Sequence, residues 1–389
     1  MPMTGNFLTH NLQEDVSLYF HIPFCTKKCD YCHFYVLPDK ISYHALLLEG
    51  LELDLMRWAN ELKGKRLVSI YFGGGTPSLL GAGPLALILE KVHSVLPFET
   101  QNIEITLEAN PDRITSSLMQ AYASAGVNRV SIGVQTLDDS LLQTLGRTHR
   151  ANAAIKAIEA TLSAGIHNIS IDLMYDIPGQ TLTSWEHTLQ QIQNLPISHL
   201  SLYNLTIEPH TVFFKYRDSL QKLLPDAECS ASMYQIARNS LESFGLHQYE
   251  ISAFSRPNLH SRHNIGYWLA RPFLGFGPSA FSYWQGRRFR AVANLNRYIQ
   301  TLRQQQSPED FSEKLDPEPH RRELLTIALR LLSGVNIPTF ETAHGPLSPE
   351  TLSSLQKLIL QGFITHQNNT IALTNQGLLF YDTVASELI

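Results

Sequence analysis

The chain is poor in cysteine, in positive charge and in long apolar runs. Four of its 389 residues are cysteine, too few and too unevenly placed for a disulfide-stapled scaffold. Lysine and arginine number 30 against 35 acidic residues, a net charge of −5, so no basic footprint points to nucleic acid. No apolar run approaches the roughly 18 residues a membrane-spanning helix needs. The opening run MPMTGNFLTHNLQED lacks a basic stretch followed by an apolar core and does not read as a secretory signal. These absences point to the cytosol. What remains is an ordinary globular composition, 43% hydrophobic and 17% charged, long enough for two or three domains.

Three of the cysteines stand together. Cys25, Cys29 and Cys32 lie in HIPFCTKKCDYCHF, a CxxxCxxC spacing that supplies three thiolates to a four-iron cluster. Such clusters normally take four. An incomplete set leaves one iron open to another molecule, and S-adenosylmethionine (SAM) is the natural occupant. Cys229, in the amphipathic run DAECSASMYQIARNSLESFG, reads as a lone buried thiol.

Six β-rich segments alternate with helices. The strands are expected at 16–22, 67–73, 102–108, 128–134, 168–174 and 198–207, with helices within 40–62 and near 83–95, 115–125, 138–145, 151–164 and 182–194. Such alternation predicts an α/β fold with a parallel sheet. Right-handed crossovers curl it into a partial (β/α)6 barrel. Four regions follow: an N-terminal extension 1–15, the barrel 16–210, a barrel extension 211–305, and a winged-helix-like α+β domain 306–389. The extension holds a helix near 225–244 and a strand within HQYEISAF (247–254). The last region has a helix stopping at Gly334, a Ser348-capped helix ending at Gly362, a hairpin turning at Asn368-Asn369 and a closing helix. Its few basic residues favour a structural or partner-docking role over DNA.

In an α/β barrel, chemistry gathers where strands end. The cysteine loop follows the first strand and GGGTP (73–77) the second. Glu108 ends the third, Gln135 follows the fourth, Asp172 lies near the end of the fifth, and Thr206 and Glu208 close the sixth. Gly73, Gly74 and Gly75 let a ligand approach the backbone, and Pro77 fixes the exit. Arg147 suits a carboxylate, and Asp172 suits ribose hydroxyls. Each residue taken singly reads better as a strand-end cap or surface ion pair. Their shared placement favours a ligand site.

The runs YFHIPFCxxxCxYCxF, FGGGTPSLL, ITLEANP, NRVSIGVQTLDDSLLQTLGRTH, ISIDLMYDIPGQT, LTIEPHT and YEISAFSRP together resemble the coproporphyrinogen-dehydrogenase branch of radical SAM proteins. The likeness spans about residues 16–385. Within that branch the chain is more similar to the HemW-type heme chaperones than to the oxygen-independent coproporphyrinogen III oxidases. The oxidases carry a further cysteine two places after the third, where this chain has Phe34. They also have a longer N-terminal extension. HNIGYW (263–268) matches the HNxxYW motif of the chaperones.

The resemblance implies a [4Fe–4S] cluster on Cys25, Cys29 and Cys32. It implies SAM contacts at Tyr19, Tyr31, Gly74, Gly75, Thr76, Glu108, Gln135, Arg147 and Asp172, and heme contacts at His263, Tyr267 and Trp268. A neutral imidazole can ligate heme iron, and Tyr267 and Trp268 offer flat apolar faces. A packed aromatic turn with a hydrogen-bonded histidine is the competing reading. The implied function is a heme chaperone that passes heme to acceptor hemoproteins. An electron donor to the cluster and peripheral membrane contact are compatible with it. The alternative is oxidative decarboxylation of coproporphyrinogen III to protoporphyrinogen IX, against which Phe34 argues. No residue is assigned a catalytic role. Two departures from the family pattern stand out: His33 occupies a usual Asp position, and FLGFGPSAFSYW (273–284) lacks the usual histidine.

Overall fold

Strand periodicity sets the layers of this molecule. β1 (Asp15–Ile22), β2 (Arg66–Gly74), β3 (Glu104–Ala109), β4 (Arg129–Gln135), β5 (Asn168–Tyr175) and β6 (His199–Asn204) run parallel and pair in chain order. The computed structural model describes residues 14–389, and in it these strands form the expected partial barrel. The expected extension 1–15 falls almost entirely outside the described residues. One parity of each strand faces the covering helices: Leu18 and Phe20 of β1, Ile70 and Phe72 of β2, Val130 and Ile132 of β4 share one buried core. The other parity is polar and buried in the lumen, with Ser17, Ser69, Thr106, Arg129, Ser170 and His199 among its members. Parallel strands covered on both faces usually read as unbroken apolar runs. Here the alternation reserves the lumen for polar chemistry.

The sheet extends beyond six strands, to twelve. Phe273–Phe276 adds a seventh parallel strand beside β1. Antiparallel strands Phe281–Trp284, Arg287–Ala291 and Glu309–Lys314 follow on that edge. At the other edge the expected strand in 247–254 is instead a hairpin, His247–Glu250 against Ala253–Ser255, with the latter antiparallel to β6. The seventh parallel strand was not legible because FLGF is short and its partner lies some 250 positions upstream.

Between the two edges the chain crosses the base of the barrel as the helix Arg262–Trp268. Ser261 caps it by accepting from the Asn264 amide. Glu104, the first residue of β3, accepts from the backbone amides of Arg262 (2.9 Å) and His263 (3.0 Å). A carboxylate here satisfies helix N-terminal donors and suits the positive end of the helix dipole.

The C-terminal module has its own core, including Leu325, Leu329, Leu355, Leu358, Ile371 and Val384. Helices Pro317–Ala328, Ile337–His344 and Pro349–Leu360 pack with a three-stranded sheet of Val335–Asn336, Thr370–Leu373 and Ile364–Gln367. Asn368 and Asn369 both adopt positive φ, as a two-residue hairpin turn requires. The helix expected to stop at Gly334 ends at Ala328, because residues 335–336 enter the sheet. The single closing helix is two, Asn375–Leu379 and Tyr381–Leu388. Glu309–Lys314 belongs to the large sheet, so the module proper begins near Pro317 rather than 306. Cys229 sits on the helix Ala227–Ser243 as expected, but partly exposed rather than buried. No helix among the described residues is long and apolar enough to cross a membrane.

Candidate functional site

The loop after β1 is pinned before it reaches the cysteines. Leu37 donates to the Pro23 carbonyl (2.6 Å) and Asp39 to the Cys25 carbonyl (3.2 Å), closing a short parallel ladder. Phe24 is fully buried and stacks on His44 at 4.3 Å. Farther along, Asp30 donates to the Leu145 carbonyl, and Phe213 donates to the Asp30 carbonyl. The loop is thus held by β1, by the segment before Arg147 and by the turn after β6.

The three thiols are partly exposed and free. Cys25 Sγ lies 3.5 Å from Thr76 Oγ1. Asn110 donates to Thr76 Oγ1 at 3.0 Å. Arg147 donates to Asn110 Oδ1 (2.9 Å) and to the Gly133 carbonyl (2.7 Å), and its other terminal nitrogen is 3.5 Å from Cys29 Sγ. One polar chain, Cys25–Thr76–Asn110–Arg147–Cys29, therefore joins two thiols through the ends of β2, β3 and β4. Burial pushes the Cys25 thiol up to about 11 and raises Cys32 as well. Such thiols stay protonated until iron displaces the proton. Among the described residues no three His, Cys, Asp or Glu groups converge on a point suited to a single metal ion. Three free, partly exposed thiols on one loop are the donor type that a four-iron cluster takes, one thiolate on each of its separate irons.

The glycine loop comes close to this centre. A Cβ at Gly75 would sit 2.7 Å from the Phe24 carbonyl oxygen, and one at Gly74, where φ is +113°, only 2.5 Å from the His21 ring. Only glycine allows that approach. The Gly74 amide donates to Glu108 Oε2 (3.1 Å) and Tyr71 Oη donates to Oε1 (2.8 Å). Burial raises Glu108 to about 7 despite these donors. Asp172 accepts from Ser131 at 3.2 Å, and burial raises its pKa too. Gln135 ends β4 with φ at +66°, a left-handed conformation rare for a non-glycine residue. Its amide and the Arg147 guanidinium converge over Gly133. Tyr31 packs near Phe213, with ring centroids 6.4 Å apart. Tyr19 lies in the lumen beneath the loop, against Tyr71 and bonded to His21 at 3.0 Å.

Cys25, Cys29, Thr76 and Arg147 are thus linked through one polar chain, and Gln135 meets Arg147 over Gly133, while Thr206 and Glu208 lie past the end of β6, which stops at Asn204 rather than 207. Asn110, Tyr71, His21 and Arg129 belong to the same surroundings and were not singled out from sequence. Their signal was a polar residue at inward parity in an otherwise apolar strand, or, for Asn110, a place inside ITLEANP.

HNIGYW behaves differently. His263 is 1% exposed. Its Nδ1 bonds Ser69 Oγ (2.9 Å) and its Nε2 bonds Tyr267 Oη (2.8 Å). Both ring nitrogens are occupied, and burial lowers its pKa to about 3. Ser69 lies five residues before Gly74 on β2, about 16 Å down the strand. Trp268 points elsewhere, under the Arg330 guanidinium of the C-terminal module at 4.3 Å. The three residues expected around heme therefore face two different places, and His263 offers no open ligand as arranged.

Residues 19–192 match the radical SAM superfamily, and residues 315–380 match the HemN C-terminal domain. The heme chaperone HemW of Bacillus subtilis (strain 168) is 33% identical over 95% of this chain and 97% of its own length. That of Haemophilus influenzae is 34% identical over 94% of this chain and 95% of its own. The chain belongs to the HemW family of radical SAM proteins. Membership implies a [4Fe–4S] cluster and SAM. The structure of coproporphyrinogen III oxidase (HemN) from Escherichia coli superposes with a TM-score of 0.84, covering 98% of this chain and 91% of that one at 22% identity. At that identity the match establishes the shared fold. In HemW terms, the barrel and the C-terminal module are the common frame, and the cysteine loop is where this chain departs from an oxidase pattern, with Phe34 53% exposed.

Proposed function

We propose that this chain is a heme chaperone that carries a [4Fe–4S] cluster on Cys25, Cys29 and Cys32, SAM at the barrel mouth, and heme, which it passes to acceptor hemoproteins. When bound, the cluster supplies a one-electron centre with one iron free for SAM. This chain's residues supply the rest. Arg147 would pair the SAM carboxylate, Glu108 with the Gly74–Gly75 backbone the amino group, and Asp172 and Gln135 the ribose. Tyr19, Tyr31 and Thr76 would complete the walls. The observation that carries the reading is an intact three-thiol site followed by Phe34, in a chain similar over nearly its full length to HemW chaperones. The reading is tested with cluster-reconstituted protein. Incubation with coproporphyrinogen III, SAM and a reductant is expected to give no protoporphyrinogen. Hemin is expected to bind and then move to an apo-hemoprotein. Protoporphyrinogen formation would make the chain an oxidase instead.

A further inference from the structure

The two ring nitrogens of His263 are held differently. Ser69 Oγ gives its own hydrogen to Ser17 Oγ (2.9 Å), so it accepts from His263 Nδ1. Nδ1 therefore carries the ring proton. Nε2 has the lone pair, and the Tyr267 hydroxyl donates to it at 2.8 Å. A metal-binding histidine is oriented by such a bond on its other nitrogen. The ring is thus already set for ligation through Nε2, and Tyr267 occupies the lone pair that a metal needs.

The helix Arg262–Trp268 is fastened by different partners at its two ends. At its start the Glu104 carboxylate takes the Arg262 and His263 amides, and Arg271 donates to the Arg262 carbonyl (3.0 Å) and to Ser17 Oγ (3.2 Å). These holds belong to the barrel. At its far end the C-terminal module takes over. The Arg330 guanidinium lies over the Trp268 ring (4.3 Å) and the Tyr381 ring (5.3 Å). Leu331 packs in one cluster with Ile265, Leu269 and Tyr249. Ile251 donates to the Arg330 carbonyl (3.2 Å), and Leu332 to the Tyr249 carbonyl (3.0 Å).

This far end bears costs that the contact with the module must offset. Trp268 Nε1 and Arg330 Nε are buried with no hydrogen-bond partner among the described residues. Ala270, two residues past the helix, holds φ at +55° and packs against the module's own core. A non-glycine residue keeps such a conformation only while its surroundings enforce it. Contacts between modules of one chain are also where relative motion is the default.

We propose that the C-terminal module latches HNIGYW closed: release of Arg330 and Leu331 lets Tyr267 swing off His263 Nε2, and heme iron takes that nitrogen. The proposal rests on the heme-binding reading above. The bond formed is His263 Nε2 to iron. The Tyr267 hydrogen bond and a solvent ligand on iron are given up, with no change in oxidation state. Ser69 keeps its hold on Nδ1 throughout. Heme takes only the open arrangement, so its apparent affinity scales with the open fraction.

The full chain is titrated with hemin, and amide hydrogen exchange is followed with and without it. Hemin is expected to raise exchange in both 262–270 and 329–332 of the wild-type chain. Arg330→Ala, with its fold checked by circular dichroism, is expected to raise exchange there before hemin is added and to tighten hemin binding about tenfold. Ala270→Gly relieves the strain of the closed arrangement and is expected to weaken binding about threefold. Adding His263→Ala to Arg330→Ala is expected to cancel the gain and to lose the nitrogen-ligated spectrum. Hemin binding with exchange at 329–332 unchanged would overturn the latch, as would unchanged affinity in Arg330→Ala or a gain that survives His263→Ala. Failure of the wild-type chain to bind hemin would sink the chaperone reading instead, while raised exchange at 262–270 in Arg330→Ala would still show the module holding the helix.

Discussion

His263→Asn separates a barrel plug from an open heme ligand without any heme present. In the folded chain burial, then Arg271 and Arg129, lowers His263 to about 3, against about 6.5 for an unfolded histidine. The unfolded chain therefore takes up the proton first as pH falls. Stability tied to this residue is fully present above about pH 6.5 and is lost progressively toward pH 3. Between pH 7.5 and pH 5 that loss comes to about 2 kcal/mol. The groups facing the ring are Ser69 and Tyr71 on β2, Tyr267 on its own helix, and the two arginines. No carboxylate touches the ring to hold a proton on it. Asparagine cannot titrate and replaces neither hydrogen bond well. Two lost buried bonds and a small void cost about 2–3 kcal/mol at pH 7.5. At pH 5 the wild-type chain has lost its share, so the gap between the two proteins narrows by about 2 kcal/mol. Urea unfolding followed by tryptophan fluorescence at both pH values gives this difference. Buried His21, His149 and His199, whose pKa values are also lowered, contribute equally to both proteins and cancel. A gap that stays constant with pH would mean the ring is open to water, and the plug description would fall.

Three further outcomes follow from the mouth and the domain contact. With Glu108 near 7, SAM affinity should fall up to tenfold per pH unit below 7, and Glu108→Gln should be weak and flat with pH; equilibrium dialysis of cluster-loaded protein reads both. Arg147→Ala removes a charged donor from the Gly133 carbonyl and Asn110 and should cost about 2–3 kcal/mol in SAM binding, with iron content kept; loss of iron as well would give Arg147 a part in holding the cluster loop. Arg288→Ala frees Glu313, beside it in the large sheet, and Glu323 on the helix Pro317–Ala328, and only the second pair joins the large sheet to the C-terminal module. These pairs are about a third exposed, so the cost should be about 1 kcal/mol or less, seen as faster proteolysis near residue 315.

The local code was legible wherever a residue's neighbours in sequence are also its neighbours in space. The six strands, the CxxxCxxC loop, the glycine turn and the Asn368-Asn369 hairpin are of that kind. Right-handed crossovers then place every strand end on one side, so the mouth followed from order and periodicity. What periodicity cannot carry is partnership across long separations. Phe273–Phe276 joins β1 only because the chain crosses the barrel base first. Asn110 links Thr76 to Arg147 only in the folded partial barrel.

HNIGYW marks the limit most clearly. Its residues announced an imidazole beside aromatic rings, which suits a heme ligand and a sealed core turn equally. The deciding fact lay in Ser69 and Glu104, some 160 to 190 positions away. By itself the sequence determined the three thiols, the parallel strands and the family, because spacing and alternation are one-dimensional properties. Tertiary structure alone decided which nitrogens are free. His263 has both ring nitrogens bonded at the barrel base and the buried Trp268 Nε1 has no partner among the described residues, because burial and hydrogen-bond occupancy depend on what the folded chain brings alongside.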